Sequence, residues 1–219
     1  MRPQAVSEQM RLVIRRLVQT GLAVEQTFPT LRTTPDGVTR IGDLRAASVA
    51  LRNYPYDQIY ADMDVNKSYH VRLPDGGLLI WQYVFDSAPA LLRHRLAYFP
   101  CPRLPTMEEA PYLYEHDELF ADIMVDRIVR FPIRIDYDPT NYRDLVHPKT
   151  HASFGQFENC RIPVAAPVLP NGFMKFVLRN FYHRAYIRHL NVFEKRLPVI
   201  PHQLTISTAE QRISHLVMH

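Results

Sequence analysis

Side chains that could carry out acid–base, metal or phosphate chemistry are concentrated in residues 131–163, FPIRIDYDPTNYRDLVHPKTHASFGQFENCRIP. Asp136 and Asp138 are two residues apart in a segment with the alternating pattern of a strand, which places both carboxylates on one face. Two such carboxylates can share a divalent cation or raise each other's pKa, and Arg134 would oppose the second effect. The alternative is a solvated strand face that ends in an Asp-Pro turn.

His147 and His151 have the four-residue spacing that places two imidazoles on one side of a helix in many zinc sites. Pro148 follows the first histidine, so we expect a loop that leads into a strand rather than a helix. A loop can still bring the two rings together. The pair could then bind a metal ion, or it could work with an aspartate as a metal-independent acid and base.

Two further regions could bind phosphate. A guanidinium such as that of Arg161 can donate two parallel hydrogen bonds to one phosphate, although Arg161 could instead pair with Glu158 or Asp138. After residue 170, cationic residues alternate with aromatic ones, as in a surface that binds nucleic acid or in a buried aromatic face with a cationic rim. The candidate nucleic-acid-binding residues there are Lys175, Arg179, His183, Arg184 and Arg188.

Hydrophobic periodicity predicts the elements that must position these residues. Helical spacing predicts a first helix over residues 6–18 and a short second helix after Asp43. From residue 67 the pattern alternates, and KSYHVRL, the turn PDGG and LLIWQYVF predict a β-hairpin. Further strands are predicted at 93–99, 128–137, 152–157 and 160–165, with a helix around HDELFADIMVD between the first two of these.

The chain returns to helical spacing after Pro170, and Ser207 and Glu210 have the spacing of a capping box that begins a last helix. We therefore expect an α+β fold, an antiparallel β-meander of five to six strands with N-terminal and C-terminal helices packed on one face. The chain is expected to form a single domain, 1–219. Its parts are a helical N-terminal segment (1–55), the antiparallel sheet (56–165) and the C-terminal helices (166–219).

Composition narrows the class of protein. The 219 residues, 47% hydrophobic, are enough for one buried core. No apolar run suits a signal peptide or a membrane span, and two cysteines give no disulfide framework, so we expect a cytoplasmic protein with no membrane partner. A net charge of +4 mildly favours an anionic partner. Nucleotide-binding loops and hydrolase elbows have no matching motif.

The motifs H-P-x-x-H, C-R-I-P-V and P-x-x-F-x-x-F-x-L-R-N-F-Y resemble the bacterial domain-of-unknown-function family 2290. The resemblance is clearest over residues 136–183 and extends from about residue 50. The family implies no assigned activity. The sequence is also loosely similar to small toxins of toxin–antitoxin pairs, a likeness in which His147 and His151 match the later histidines and Asp136 or Asp138 the Y-D position.

These features together predict a nucleic-acid-acting bacterial protein, a ribonuclease-like effector of a toxin–antitoxin or phage-defence system with a protein partner from the same operon. Arg161 would hold phosphate, and a divalent metal is the cofactor that the site could bind. The alternative is a non-catalytic subunit that docks onto a larger partner enzyme through residues 98–115. The candidate catalytic residues are Asp136, Asp138, His147 and His151.

Overall fold

The computed structural model describes residues 1–42, 54–102, 131–157 and 159–218. In these ranges the chain forms five α-helices and one nine-stranded antiparallel sheet, so the expected α+β class is confirmed. The helices expected after Asp43 and around residues 116–126 lie outside the described residues, as does Glu158. No helix in the described ranges is long and apolar enough to cross a membrane.

Helix α1 spans Pro3–Gln19. Proline suits the first helical position because the N–H there has no helical partner and the ring presets φ. Arg16 is buried on this helix, and its guanidinium donates to the carbonyl oxygens of Phe193 at 3.3 Å and Lys195 at 2.6 Å. These bonds tie α1 to the C-terminal part of the chain. The apolar residues that α1 buries are Val6, Met10, Val13, Ile14 and Leu17.

The described strands are β1 (Glu25–Gln26), β2 (Leu31–Thr33), β3 (Thr39–Ile41), β4 (Val71–Arg72), β5 (Leu78–Phe85), β6 (Leu91–Phe99), β7 (Ile133–Tyr137), β8 (Thr150–Phe154) and β9 (Ile162–Pro163). They pair in the order β1-β4-β5-β6-β7-β8-β9, while β3 pairs with the other end of β5 and β2 with β3. All of these pairings are antiparallel.

The β4–β5 hairpin forms where the sequence predicts it. Gly76 takes a φ of +82°, which a residue without Cβ adopts easily, and its N–H donates to Leu73 O at 2.9 Å. The buried carboxylate of Asp75 accepts hydrogen bonds from Gly77 N at 3.0 Å and from the Tyr182 hydroxyl at 2.8 Å. The turn is therefore joined to the C-terminal helices as well as to its own strands.

The sheet has two chemically different faces. Side chains that alternate along the strands, such as Trp81, Leu96 and Ile135, bury one face against α1 and the C-terminal helices; we call it the core face. The intervening side chains, which include Arg95 and Asp136, point to the opposite face, which we call the polar face. The alternation thus separates the main core from the polar residues.

Helix α2 (Tyr56–Val65) covers one end of the polar face. The sequence does not signal this helix, which falls in the segment expected to be sheet. Its buried side chains form a second, smaller hydrophobic cluster with strand residues of the polar face, so the helices do not all lie on one side of the sheet. The residues of that cluster are Ile59, Tyr60, Met63, Tyr69, Leu78, Ile80, Ala97 and Phe99.

The C-terminal region contains α3 (Pro170–Phe181), α4 (His183–Arg188) and α5 (Leu190–Phe193), with breaks at Tyr182 and His189. The expected capping box is present: Ser207 N donates to Glu210 Oε2 at 2.9 Å and Glu210 N to Ser207 Oγ at 3.0 Å. It begins only a 3-10 turn, Glu210–Arg212, rather than the expected helix.

The N-terminal segment 1–55 also departs from expectation. We expect it to be helical, yet strands β1, β2 and β3 lie within its described part. These strands are two or three residues long, which is too short for an alternating hydrophobic pattern to reveal them.

Two fully buried histidines accept hydrogen bonds from backbone N–H groups. His70 Nδ1 accepts from Trp81 N at 3.3 Å, and His94 Nε2 accepts from Val168 N at 3.0 Å. Burial lowers the pKa of each imidazole to about 4, because the charged form would lose its hydration. Both rings are therefore neutral at pH 7.

We predict that His94 makes the protein acid-sensitive. Its folded pKa of about 4 lies below the ordinary 6.5, so its contribution to stability is present above pH 6.5 and is lost as pH falls toward 4. The loss at pH 5 is about 2 kcal/mol of the free energy of unfolding. His94→Gln keeps an acceptor for Val168 N. In urea denaturation, the free energy of unfolding of this variant should fall by about 2 kcal/mol less between pH 7 and pH 5 than that of the wild type. The exposed His183→Gln is the control, and equal losses in wild type and His94→Gln would contradict the prediction.

Candidate functional site

One row of side chains crosses the polar face, because paired residues of antiparallel strands lie side by side. Gln82 in β5 pairs with Arg95 in β6, Arg95 pairs with Asp136 in β7, and Asp136 pairs with His151 in β8. The register therefore places a guanidinium, a carboxylate and an imidazole next to one another, although Arg95 is distant in the sequence.

Asp136 is a buried carboxylate held by two arginines. Its Oδ1 accepts a hydrogen bond from Arg95 Nε at 2.8 Å, and its Oδ2 lies 4.0 Å from Arg134 Nε. Burial alone would raise the pKa of Asp136, but the charges of Arg95 and Arg134 and the hydrogen bond from Arg95 outweigh burial and lower it. Asp136 is therefore ionised at neutral pH and acts as a fixed negative charge.

The two histidines converge beside this carboxylate. The ring centroids of His147 and His151 are 4.7 Å apart at an interplanar angle of 69°, so the edge of one ring meets the face of the other. His151 is buried, and its Nδ1 bonds to Pro148 O at 2.9 Å, which requires the proton on that nitrogen. His147 is only partly buried, but its Nδ1 is inaccessible and has no hydrogen-bond partner among the described residues.

A second row adds arginines to the same face. Arg134 pairs with Ser153, and the pairing of Ala152 with Ile162 places Arg161 next to Ser153 in register. Burial lowers the pKa of Arg134, and the positive charges of Arg95 and Arg161 lower it further. The negative charge of Asp136 acts in the opposite direction but does not outweigh them. Arg161 is therefore close enough to Arg134 to repel it. We call the whole set the arginine–histidine cluster: Arg95, Arg134, Asp136, His147, His151 and Arg161.

The cluster carries more positive than negative charge. Three arginines accompany one carboxylate, and of the residues that the structure describes only Arg95 and Arg134 form ion pairs with it. Of the two partners that the sequence suggests for Arg161, Glu158 lies outside the described residues and Asp138 forms no ion pair with it. A half-buried guanidinium that has no acidic partner among the described residues favours an anionic ligand.

The structure does not bring Asp138 into the cluster. It lies one residue beyond β7, and its Oδ2 accepts a hydrogen bond from Asn141 Nδ2 at 2.7 Å in the following 3-10 turn. Within the described residues no hydrogen bond or ion pair joins it to Asp136. Asp138 thus follows the alternative that the sequence leaves open, a turn residue at the end of a strand.

The basic residues of the C-terminal helices are also separate from the cluster, because α3 packs on the core face and the cluster lies on the polar face. Lys175 forms an ion pair with Glu194, and the Arg179 guanidinium lies 5.9 Å from the centroid of the Tyr186 ring. His183 Nδ1 lies 3.3 Å from Arg179 O. Arg184 and Arg188 are exposed on α4. One short ligand cannot contact this surface and the cluster together.

Comparison with known proteins places the chain in a family. Residues 22–218 match the family described as uncharacterized conserved protein (DUF2290). The chain is a DUF2290 protein. No curated protein and no solved structure matches it, and the comparisons give no support to the likeness to small toxins.

The described donors of the arginine–histidine cluster do not suit a divalent metal ion in this DUF2290 protein. Within the described residues no three His, Cys, Asp or Glu side chains are grouped as metal ligands. Asp136 directs both carboxylate oxygens toward arginines, and His151 directs Nδ1 toward Pro148. The cluster is therefore suited to binding an anion rather than a cation.

Sequence reasoning missed Arg95, the principal partner of Asp136. The segment RHRLAYF was predicted as a strand, and its alternation places Arg93 and Arg95 on one face. That signal shows a charged strand face but not which strand lies beside it. Ser153 was missed for the same reason.

We predict that Asp136→Asn destabilises this DUF2290 protein by about 2 to 3 kcal/mol, since two partly buried arginines lose their counter-charge. The lowered pKa of Asp136 means that its stabilisation is present above the ordinary value of 3.8 and is lost as pH falls below it. The difference between variant and wild type in chemical denaturation should therefore shrink as pH falls below 3.8. Asp138→Asn is the matched control and should cost about 0.5 kcal/mol or less. An equal cost for both substitutions would contradict the assigned role of Asp136.

Proposed function

We propose that this protein binds nucleic-acid phosphodiesters at the arginine–histidine cluster and cleaves RNA there without a metal ion. The observation that carries the proposal is the excess guanidinium charge of Arg134 and Arg161 beside the paired rings of His147 and His151. Cleavage of a phosphodiester requires proton transfer and charge stabilisation in one place, and these residue types supply both.

Phosphate binding is assigned to Arg134 and Arg161. Burial and the repulsion from neighbouring arginines lower the pKa of Arg134, and an anion placed beside it would relieve that repulsion. The Arg161 side chain forms no hydrogen bond or ion pair with the described residues, and we assign its guanidinium donors to the phosphate. A polyanion also suits the net charge of +4 and the pI near 9.1.

The reaction that we propose is attack by the RNA 2′-hydroxyl on the adjacent phosphorus. His147 accepts the 2′-hydroxyl proton on Nε2, since its Nδ1 is buried. The 2′-oxygen bonds to phosphorus, the bond from phosphorus to the 5′-oxygen breaks, and water protonates the departing oxygen. Arg134 and Arg161 stabilise the charge on the non-bridging oxygens. The products are a 2′,3′-cyclic phosphate and a 5′-hydroxyl.

His151 acts as a positioning residue for His147. Burial lowers the pKa of His151 in spite of the opposing hydrogen bond to Pro148 O and the charge of Asp136, so the ring is neutral. At a centroid distance of 4.7 Å the rings are in contact, which leaves no room for a phosphate between them. Only His147 is then placed to meet the substrate.

The setting that we propose is the bacterial cytoplasm, with the protein as an effector of a toxin–antitoxin or phage-defence system and a partner from the same operon. This part rests on the sequence alone. The alternative of a docking subunit relies on residues 98–115, of which the structure describes 98–102.

Cleavage is tested with purified protein and a fluorescent single-stranded RNA in the presence of EDTA. We expect products that end in a 2′,3′-cyclic phosphate, and His147→Ala should lower the rate by about 100-fold or more without changing the melting temperature by more than a few degrees. His151→Asn retains a donor for Pro148 O and should recover part of the activity that His151→Ala loses. The exposed His183→Ala should retain full activity. Wild-type protein that leaves RNA intact, or His147→Ala that cleaves at the wild-type rate, would refute the proposal.

A second measurement asks which face binds. Arg161→Gln should weaken binding of 2′-O-methyl single-stranded RNA, which has no 2′-hydroxyl to attack, about tenfold. It should also reduce the slope of log affinity against log salt by about 0.7, because one phosphate contact is lost. The matched control is Arg179→Gln on α3, which should leave affinity and slope unchanged. Weakening by Arg179→Gln but not by Arg161→Gln would locate binding on the helices and contradict the assignment to the cluster.

A further inference from the structure

An exposed aromatic ring lies in the turn between β8 and β9, the strands beside which Ser153 and Arg161 are paired. Phe157 is 77% exposed in the turn that follows β8. Gly155 takes a φ of +67°, and a Cβ built there would lie 3.3 Å from Phe157 Cδ2. The ring therefore lies against the glycine backbone, where another residue type would displace it.

The turn that carries Phe157 is held on several sides. Gly155 N donates to Pro132 O at 2.7 Å, which extends the β7–β8 pairing, and Cys160 N donates to Phe157 O at 3.3 Å. Gln156 Nε2 donates to Tyr54 O at 2.8 Å, and Tyr54 is itself 47% exposed. These bonds hold the turn in place, so a flat ligand that covers the ring orders little additional chain.

The strand geometry gives the separation between this ring and the arginines. His151, Ser153 and Gly155 are every second residue along β8 and its extension. Ser153 lies between Arg134 on one neighbouring strand and Arg161 on the other side. At roughly 3.4 Å per residue, Gly155 is about 7 Å from Ser153 along the strand. A phosphate beside Ser153 and a base on Phe157 are therefore within the span of one nucleotide.

We propose that Phe157 is a stacking site for an unpaired nucleobase whose phosphate is held by Arg134 and Arg161, which makes the substrate a single-stranded nucleic acid. The inference rests on the proposed function and names the substrate class of the same cluster. An aromatic face accepts the π-face of any base, and the guanidinium charges beside it select a base that carries a phosphate. Bases in a duplex are already stacked and do not offer that face.

The test compares two fluorescent oligonucleotides of equal length and charge, oligothymidylate and a chain of abasic tetrahydrofuran units. Neither has a 2′-hydroxyl, so neither is cleaved by the proposed reaction. In fluorescence anisotropy titrations, wild-type protein should bind oligothymidylate roughly five- to 100-fold more tightly than the abasic chain. Phe157→Ala should remove that difference and leave affinity for the abasic chain unchanged. Phe157→Trp should preserve the difference.

The outcomes separate this inference from the proposed function. Equal binding of the two chains by wild type, or a difference that persists in Phe157→Ala, overturns the stacking site while leaving the phosphate site intact. Failure of wild type to bind either chain overturns the proposed function as well. Phe28→Ala, at a ring 40% exposed before β2, is the aromatic control and should behave as wild type. Tighter binding of duplex than of oligothymidylate would also refute the single-stranded assignment.

Discussion

The register of strands β6, β7 and β8 is the constraint on which the rest of the site depends. Because it pairs Arg95 with Asp136 and Asp136 with His151, three groups from distant parts of the chain share one row. A slip of one residue in β7 would turn Asp136 into the core and Ile135 to the polar face, so the apolar core and the ion pair enforce the same register. Packing on one face thus determines the chemistry of the other.

Histidines in this fold have different roles because their surroundings differ. His70 and His94 are buried as acceptors for backbone N–H groups, and burial lowers the pKa of each to about 4, so both serve structure. His151 combines a bond to a carbonyl oxygen with a nearby carboxylate, and His147 lies partly exposed against it. Residue type alone does not distinguish a structural imidazole from a candidate catalytic one.

Positive charge is likewise divided between two surfaces with different compensation. On the C-terminal helices, Lys175 has Glu194 and Arg179 has the ring of Tyr186. On the polar face, Arg134 and Arg161 repel one another beside Asp136, the one carboxylate that the described part of the chain places in the cluster. The sequence shows the helical series as the denser basic region, yet among the described residues the arginines of the sheet share one carboxylate. Charge compensation, rather than charge density, is the reason that the proposed anion site is assigned to the sheet.

Features that depend on near neighbours in the chain can be predicted from the sequence. These are the β4–β5 hairpin with its turn glycine, the alternating strands through residue 163, α1 and α3, and the capping spacing of Ser207 and Glu210, all of which follow from periodicity and turn chemistry over a few residues. Three other features become visible only in the folded chain: Arg95 is the partner of Asp136, Asp138 remains in its own turn, and the basic helices lie on the opposite side of the sheet. Those outcomes depend on strand order and packing, which join residues far apart in the chain and leave no local signal.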